Sequence, residues 1–507
     1  MPFFTYSKVS ALRIFTLFYI IAMFLPRLVV KGMFGDGLLY ASMARNMAIG
    51  KGSMWQPFFS SSYWLDNVAP IYYENPPLML WLESLFFTVF GDFWWIEKAY
   101  SLFIFTLNCF LIIKIAHFFE RKYNIEKGFG WLVLIFWHLI PRVLWANPNN
   151  MMDNNLLTFC LLSVLFILHF TTLETTKSHT KSLNSRTFLT HSRVFYLLLS
   201  VLSIFLGILT KGPVALYPLS IPLLFAFFTH NLSYKKAFYD TIFLTSLSVL
   251  FFILFIYFNT NAKIYFINYW EQRLLAVIVG SRDDMKLNGW ERLEIVFTLL
   301  TELLPIIAVF LIGFISVKIK KIRVIFNKRH INTAFFFLFL GLCGSLPIIV
   351  STKQSGIYLI PSFPMFAFSA GFFALPFYEK YIHSIRSNNF SKGLHVFSRI
   401  ALSLTFIYTA FITGGDGRDA ALLKDVDILR HTIPIDEKVG VCSDMMHDFT
   451  FHTNLQRFCR YELKQNTPTT FFLTRKHVCD SLHQDSLTQI GYKRVYIPTH
   501  YFSIYKK

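Results

Sequence analysis

The sequence predicts a polytopic α-helical membrane protein that ends in a small extracytoplasmic α/β domain. Of its 507 residues, 54% are hydrophobic and only 15% are charged. Soluble domains carry about 25% charged residues, and many apolar runs in this chain approach the roughly 20 residues that a helix needs to cross a bilayer. These observations argue against a soluble enzyme of one to three domains.

Eleven apolar segments are predicted to span the membrane, within a total of about 11–13 helices. The first segment, 11–30, has Lys8 before it and Arg13 near its start, and it has no small-residue cleavage site after a short core. We therefore expect a retained helix with a cytoplasmic N-terminus, not a removed signal peptide. The other segments are 94–118, 129–147, 155–171, 194–209, 213–229, 239–258, 295–317, 332–350, 357–377 and 396–413.

The distribution of charge predicts the orientation of these spans. The net charge of +19 would suggest nucleic acid binding in a soluble protein. When the spans alternate across the membrane, however, all five connections on the cytoplasmic side are net basic or nearly so, and the most basic is 318–330. The first long loop, 32–93, carries five acidic residues against two basic ones and is predicted to lie outside. The basic excess is thus explained by the positive-inside rule.

The composition changes after residue 413 from apolar to mixed polar, which predicts a second domain. We expect a membrane domain over 1–413, with its first outer loop at 32–93, and an extracytoplasmic domain over 414–507. Within the second domain, runs at 438–442, 470–473 and 494–497 are typical of short strands between polar segments.

The six cysteines fall into two groups. Cys109, Cys160 and Cys343 lie in apolar spans and are most simply small core residues. The other three, Cys442, Cys459 and Cys479, lie in the predicted outer domain, where one disulfide is feasible and its pairing is open. Their spacing fits no zinc pattern, so no metal site is assigned.

Polar residues near membrane spans are costly and are therefore candidate site residues. Here they gather at the predicted outer ends of the spans, whereas the middles of the spans carry almost no charge. A channel or a coupled transporter should instead place ionisable groups near the midplane. The pattern favours an enzyme that acts on a membrane-embedded substrate. The charged candidates are Asp36, Glu74, Asp153, Lys211, Arg273, Arg282 and Lys353.

Two surface helices are predicted in the first outer loop. The segment 36–47 has apolar residues at helical spacing and is predicted to be an amphipathic helix with Asp36 at its N-terminus. A helix-capping role and a catalytic role for Asp36 fit this position equally well. The second helix should follow Pro76 and Pro77 and run through 78–90. Glu74 precedes it, where a solvated acid is the simpler interpretation.

The remaining charged candidates each have an ordinary structural alternative. Asp153 either caps a helix or contacts a ligand. Lys211 and Lys353 either extend toward lipid headgroups or hold a phosphate. Arg273 and Arg282 either bind a phosphate through a bidentate contact or have an orienting or surface role.

The polar segments, taken in order, resemble the bacterial lipid-linked sugar transferases of the GT-C superfamily. The resemblance is to the branch that contains the aminoarabinose transferase of lipid A and the protein O-mannosyltransferases, and it covers the chain to about residue 380. Each motif is short, and the specificity comes from their order, spacing and sidedness. The motifs are Asp36 with Tyr40, Tyr73-Glu74-Asn75-Pro76-Pro77-Leu78, Trp81-Leu82, Phe90-Gly91, Asp153, Leu209-Thr210-Lys211-Gly212-Pro213, Trp270-Glu271-Gln272-Arg273, and Lys353 with Tyr358-Leu359-Ile360-Pro361.

The resemblance implies transfer of one sugar, with inversion, from a polyprenyl-phosphate carrier such as undecaprenyl phosphate. It implies the GT-C fold in a bacterial inner membrane, with the active site and the C-terminal domain in the periplasm. The acceptor would be lipid A or another envelope glycan or lipid. No firm cofactor is implied, although a divalent cation is compatible with the chemistry.

The resemblance also implies roles for particular residues. Asp36 would be the general base toward the acceptor nucleophile or a partner that orients it, and Asp153 would orient the acceptor or the sugar. Lys211, Arg273 and Lys353 would bind the carrier phosphate and stabilise its charge as it leaves. Further candidates for substrate contact are Tyr40, Glu74, Arg282 and Tyr358.

Two departures from the family pattern bear on the substrate. Family members often have Asp-Glu where this chain has Asp36-Gly37, and a lysine where it has Asn75. The second change removes a positive charge that could contact phosphate, which favours a sugar or acceptor other than aminoarabinose and lipid A. A protein hydroxyl as acceptor, and a transporter or lipid flippase, are the alternative functions.

Overall fold

The computed structural model describes residues 8–61, 71–173, 183–230, 232–275, 289–319, 324–351, 353–383 and 388–507. The chain divides into two compact units, which are described separately below. The helical unit comprises Met1–Leu25, Phe103–Asn147 and Met152–Ala410. The mixed unit comprises Pro26–Leu102, Pro148–Met151 and Phe411–Lys507, so it joins the first long loop to the C-terminal region.

Long apolar helices make up the helical unit. Of the helices up to residue 412, α2 and α3 lie in the mixed unit, and α1, α4 and α15 extend into it. These helices are α1 (Lys8–Leu28), α2 (Gly35–Ala48), α3 (Leu78–Phe90), α4 (Ile96–Tyr123), α5 (Phe129–His138), α6 (Pro141–Ala146), α7 (Met152–Thr172), α8 (Leu183–Lys211), α9 (Ile221–Thr229), α10 (Tyr234–Phe258), α11 (Thr260–Tyr269), α12 (Glu294–Ile319), α13 (Lys328–Ser345), α14 (Phe363–His383) and α15 (Asn388–Ile412). Short 3-10 segments lie at Gly212–Ser220, Leu346–Val350 and Gly356–Ser362, and a π-helical turn lies at Trp270–Leu275.

The prediction of a polytopic helical membrane protein is confirmed. Among the described residues, nine helices are long and apolar enough to cross a membrane, or ten if α5 and the segment after it form one bent span. The count treats 191–229 as a single helix, although the sequence predicts two spans there.

The chain does turn back within that segment. A Cβ built on Gly207 would lie 2.7 Å from the Cβ of Ala215, whereas residues eight apart in one helix are separated by about 12 Å. The turn is centred on Gly212, whose positive φ of 72° suits glycine. The predicted break at 211–213 is therefore confirmed.

The predicted span 129–147 is not one straight helix. The chain bends by 82° between α5 and the segment Pro141–Asn149. Pro141 has no backbone N–H and restricts the preceding residue, so Ile140 is extended, with φ −78° and ψ 117°. The helix therefore ends at His138 and a new one begins at Pro141.

The mixed unit contains a five-stranded sheet packed with short helices. Its strands are β1 (Lys438–Val441), β2 (Glu462–Gln465), β3 (Phe471–Arg475), β4 (Lys493–Val495) and β5 (Phe502–Lys506), in the order β2-β1-β3-β5-β4. β1 pairs in parallel with β2 and β3, and β5 pairs antiparallel with β3 and β4. Its helices are α16 (Ala420–Thr432), α17 (Ser443–His447), α18 (Phe449–Cys459) and α19 (Asp480–Gln489).

The small C-terminal α/β region is confirmed, and β1, β3 and β4 match the three predicted strands. β2 was not predicted because Glu-Leu-Lys-Gln lacks the apolar alternation of a half-buried strand. A disulfide joins Cys442 to Cys479, which leaves Cys459 as a buried free thiol.

Both predicted helices of the first loop are present, but the amphipathic character expected of α2 is wrong. Gly35 and the whole run from Gly37 to Asn46 are buried. The reason lies within the mixed unit, where α3 and α18 both pack against α2. The polar residues Ser42, Arg45 and Asn46 of α2 are therefore enclosed and do not face water.

Candidate functional site

Asp36 lies in the first turn of α2 and does not cap it. The cap position is Phe34, and no side chain caps the helix there. Between Gly35 and Asn46, Asp36 is the one residue that is not buried. The structure thus places Asp36 in the first turn of an otherwise enclosed helix, two residues after the cap position.

The segment 148–151 holds the start of α2. The side-chain oxygen Oδ1 of Asn149 accepts a hydrogen bond from the backbone N–H of Phe34 at 2.9 Å. A Cβ built on Gly37 would lie 2.2 Å from the carbonyl oxygen of Asn149, closer than real Cβ atoms approach. No larger side chain fits at position 37. The departure from the family's Asp-Glu pattern therefore has a local steric reason.

Glu83 is a buried acid that the sequence reasoning missed. Its Oε1 accepts a 2.7 Å hydrogen bond from Asn150, whose Nδ2 also reaches the carbonyl oxygen of Gly37 at 3.4 Å. Burial, reinforced by repulsion from Glu97, raises the pKa of Glu83 well above its ordinary value; the Asn150 hydrogen bond and Arg457 only partly oppose this. The signal available in the sequence was an acidic residue among the apolar, core-facing positions of α3.

Two further predicted residues, Tyr40 and Glu74, lie in the mixed unit. Tyr40 is buried, and its ring lies edge-on to that of Tyr72, with 6.5 Å between the centroids. Asn75 donates a 2.9 Å hydrogen bond to the Tyr72 hydroxyl. Glu74, between them in sequence, is half-buried. The motif around Glu74 therefore packs beside the helix that carries Asp36.

Buried arginines join α2 to α18 inside the mixed unit. Arg457 lies 2.7 Å from Glu97 and 2.8 Å from Asp92. Burial by itself lowers the pKa of Arg457, but the two carboxylates outweigh it and hold the pKa above its usual value. Arg45 donates to the carbonyl oxygens of Gln456 and Arg457, and burial lowers its pKa to about 9 despite the attraction of Asp92. These contacts hold α2, the helix that carries Asp36, against α18.

In the helical unit, three predicted residues converge. Asp153, 1% exposed, lies in the first turn of α7, and its Oδ2 is 2.6 Å from the Nζ of Lys211 at the end of α8. The same Nζ lies 4.7 Å above the ring of Tyr358. Lys211 therefore points at a buried carboxylate and an aromatic face, and it does not simply extend to lipid headgroups. The other oxygen of Asp153, Oδ1, has no hydrogen-bond partner among the described residues.

A second ion pair borders this cluster. Arg142 contacts Glu302 twice, through Nε at 3.0 Å and through its backbone N–H at 2.7 Å. A Cβ on Gly356, two residues before Tyr358, would lie 2.9 Å from the Arg142 guanidinium. Sequence reasoning missed Arg142 because it placed 129–147 in one span. Pro141 was the signal that the helix breaks there.

An apolar groove begins directly after Lys211. Its volume is about 510 Å³, and Gly212 and Pro213 form one end of its wall. The groove is closed mainly by aliphatic and aromatic side chains of α10, α11 and the π-helical turn, with Lys263 and Glu271 as its charged members. Lys211 therefore adjoins in sequence two residues that line an apolar groove.

The remaining predicted residues are not brought into the cluster by any described contact. Arg273 is half-buried in the π-helical turn, and Lys353 is exposed. Arg282 falls in 276–288, which the structure does not describe. Within the described ranges, no group of three or more metal-binding side chains could hold a metal ion.

The chain is similar in structure to ArnT from Cupriavidus metallidurans. Against ArnT bound to undecaprenyl phosphate it has 13% sequence identity and a TM-score of 0.60, over 96% of this chain and 97% of that one. The chain has the fold of ArnT. Against ArnT in the apo state the identity is 14% and the TM-score 0.58, over 97% and 96% of the two chains. The GT-C fold implied by the motifs is confirmed, although no family model and no curated protein matches the sequence.

Proposed function

We propose that the protein is an inverting glycosyltransferase that uses a polyprenyl-phosphate sugar as donor. The observation that carries this proposal is the Lys211–Asp153 ion pair beside the ring of Tyr358. Gly212 and Pro213, which follow Lys211 directly in sequence, line an apolar groove. The ArnT structure of the same fold has undecaprenyl phosphate bound. A polyprenyl phosphate needs one site for its phosphate and another for its chain, and these two features match that need.

Lys211 is the proposed phosphate ligand. An ammonium has three N–H donors, of which one is directed at Asp153. The other two remain for phosphate oxygens, and such charge-assisted hydrogen bonds are strong. Asp153 holds the ammonium in place, and the adjacent groove receives the prenyl chain. Arg273, Arg282 and Lys353 are further candidates for contact with the phosphate.

Asp36 is the proposed catalytic residue. Its carboxylate accepts the proton of the acceptor hydroxyl or amine as that atom attacks the anomeric carbon. The bond from that carbon to the carrier phosphate oxygen breaks, and polyprenyl phosphate leaves with the bonding electrons. Lys211 stabilises the charge that develops on the phosphate. A single displacement of this kind inverts the anomeric configuration.

We place the reaction at the periplasmic face of a bacterial inner membrane, with lipid A or another envelope glycan or lipid as acceptor. The sugar of ArnT is not carried over to this chain. Gly37 and Asn75 depart from the family pattern, and both have contacts of their own. These departures favour a different sugar or acceptor, and a protein hydroxyl is the second candidate acceptor.

The test is turnover by the purified chain in lipid. Undecaprenyl-phosphate sugars are supplied one at a time with membrane extract as acceptor, and free carrier phosphate is measured. We expect turnover of at least one donor and a loss of about 10²-fold or more in Asp36→Asn. Asp427→Asn, which removes an exposed acid of the mixed unit, is the matched control and should retain activity.

Three outcomes would contradict parts of this proposal. Equal turnover in Asp36→Asn and Asp427→Asn would remove Asp36 from the mechanism. No turnover of any donor, together with carrier movement between leaflets of reconstituted vesicles, would favour the transporter alternative. Loss of turnover on chelation of divalent ions, with recovery on their return, would add a metal to the reaction.

A further inference from the structure

A cavity lined by basic side chains lies at the other end of the helices that carry Asp153 and Lys211. It occupies about 560 Å³ between the later part of α4, the end of α7 and the start of α8. His169, on its wall, is 16 residues beyond Asp153 on α7, which is about 24 Å along the helix axis. The cavity therefore has no part in the proposed donor site. We name it the basic pocket, and its principal side chains are Lys114, His117, Arg121, Lys122, His169 and Tyr196.

One face of α4 supplies most of the charge. Lys114 lies three and four residues before His117 and Phe118, and these lie four and three residues before Arg121, so all four project from the same side of the helix. Lys114 and Arg121 are exposed. Across from them, the His169 ring stacks on Tyr196 with 4.7 Å between centroids and meets the edge of Phe118 at 5.0 Å. These contacts hold the aromatic wall of the pocket in place.

Among the described residues, no ion pair with a carboxylate is seen for Lys114, Arg121 or Lys122 of the basic pocket, whereas His117 contacts Glu120. No acidic residue lines the pocket within the part of the chain that the structure describes. Glu120, the nearest acid on α4, is engaged by His117 Nδ1 at 2.8 Å and by the backbone N–H of Gly128 at 3.1 Å. Lys114 and Lys122 instead lie over aromatic rings, at 5.0 and 5.3 Å.

Basic residues at one end of membrane spans are expected from topology alone. The basic pocket goes beyond that rule because three permanent cations and two imidazoles surround one recess with an aromatic wall. A phosphate is the anion that such a group of lysine and arginine donors binds best. Lys114 also lies nine residues before the end of α4, about 14 Å along its axis. The recess therefore reaches alongside the apolar part of the span, where a headgroup with its acyl chains fits better than a soluble ion.

We propose that the basic pocket binds the phosphate headgroup of an anionic membrane phospholipid. Basic recesses between membrane helices are known to bind lipid headgroups of this kind. The site is independent of the glycosyltransferase proposal, since it uses none of the donor-site residues. A bound lipid would join α4, α7 and α8, and two of these helices carry the Asp153–Lys211 pair at their far ends.

The test is lipid binding by the full chain in detergent micelles. Labelled phosphatidylglycerol is titrated into the protein, with phosphatidylcholine and inorganic phosphate as the alternative probes. The variant Lys114→Gln/Arg121→Gln removes two pocket charges. Its matched control, Lys235→Gln/Lys380→Gln, removes two exposed lysines outside the pocket. We expect phosphatidylglycerol affinity to fall about thirtyfold in the first variant, the effect of two charges at a membrane surface, and little in the second.

Two results would overturn the proposal. Equal loss of phosphatidylglycerol binding in both double variants would mean that the lipid responds only to overall charge. Binding of inorganic phosphate that depends on the pocket, without binding of phosphatidylglycerol, would mean a soluble ligand. Lys114→Arg/Arg121→Lys keeps both charges and should keep binding phosphatidylglycerol. Comparison with this variant distinguishes the loss of charge from a folding defect as the cause of weaker binding in the glutamine variant. The thermal midpoint in phosphatidylcholine micelles reports folding in every variant.

Discussion

The burial of Glu83 predicts that replacing it by glutamine stabilises the mixed unit at neutral and alkaline pH. The side chain is fully buried, and its Oε2 has no hydrogen-bond partner among the described residues. Glutamine has the shape of the protonated acid and keeps an oxygen to accept the hydrogen bond from Asn150. Glu83→Gln should therefore preserve the folded contacts and remove only the cost of ionisation.

The sign and size of the effect follow from proton linkage. The pKa of Glu83 is raised in the folded state, by burial first and by Glu97 second, while the unfolded chain should titrate near the ordinary value of about 4.3. Above that pH the folded state binds more protons than the unfolded state. The stability of the native chain therefore falls by about 1.4 kcal/mol for each pH unit, until the pH reaches the folded pKa of Glu83. In Glu83→Gln this dependence of stability on pH is absent, because the residue at position 83 no longer ionises.

Hydrogen exchange of the peptide that covers α3 measures this difference locally. At each pH the native chain and Glu83→Gln are compared, so the intrinsic exchange rate cancels. The protection of the variant relative to the native chain should rise about tenfold per pH unit above pH 4.3. Asp427→Asn, which alters an exposed acid, should give a ratio that does not change with pH. A ratio that stays flat, or falls as the pH rises, would refute the assignment of a neutral buried acid.

Three other predictions concern the ion pairs and the disulfide. Lys211→Met should lower turnover of a polyprenyl-phosphate sugar by about 10²-fold or more, with partial retention in Lys211→Arg, and adding Asp153→Leu should cost little further because the two residues act as a unit. Arg457→Ala should lower the free energy of unfolding of the mixed unit by about 3–5 kcal/mol, measured by denaturant titration, because it leaves a buried carboxylate unpaired. Replacing Cys442 and Cys479 by serine should cost about 2–4 kcal/mol in oxidised protein and abolish any further effect of a reducing agent on stability.

The spans were predictable because their signal is local and strong. Runs of apolar residues mark each helix, and Gly212 marks the turn between two of them. The bend at Pro141 was overlooked because hydropathy averages over the residues on both sides of it. The burial of α2 could not be predicted from local sequence patterns, because it depends on α18, which lies some 400 residues later in the chain.

The candidate site was predictable as a set of residues but not as a set of contacts. Asp153 and Lys211 were each chosen for charge at the end of an apolar run. Their 2.6 Å pairing depends on how α7 and α8 pack, which no local pattern specifies. Glu83 and Arg142 were missed for the opposite reason. Each lies within or beside an apolar run, where a single charge barely alters the average.

The structure links the departure at Gly37 to the buried acid at Glu83. Gly37 leaves room for the carbonyl oxygen of Asn149, and Asn150 is held by Glu83. A larger residue at position 37 would push away a segment that Glu83 retains, so the two positions constrain each other. The start of α2, which carries Asp36, therefore depends on this buried hydrogen bond within the mixed unit. Restoring the family's glutamate at position 37 would disturb this arrangement instead of completing it.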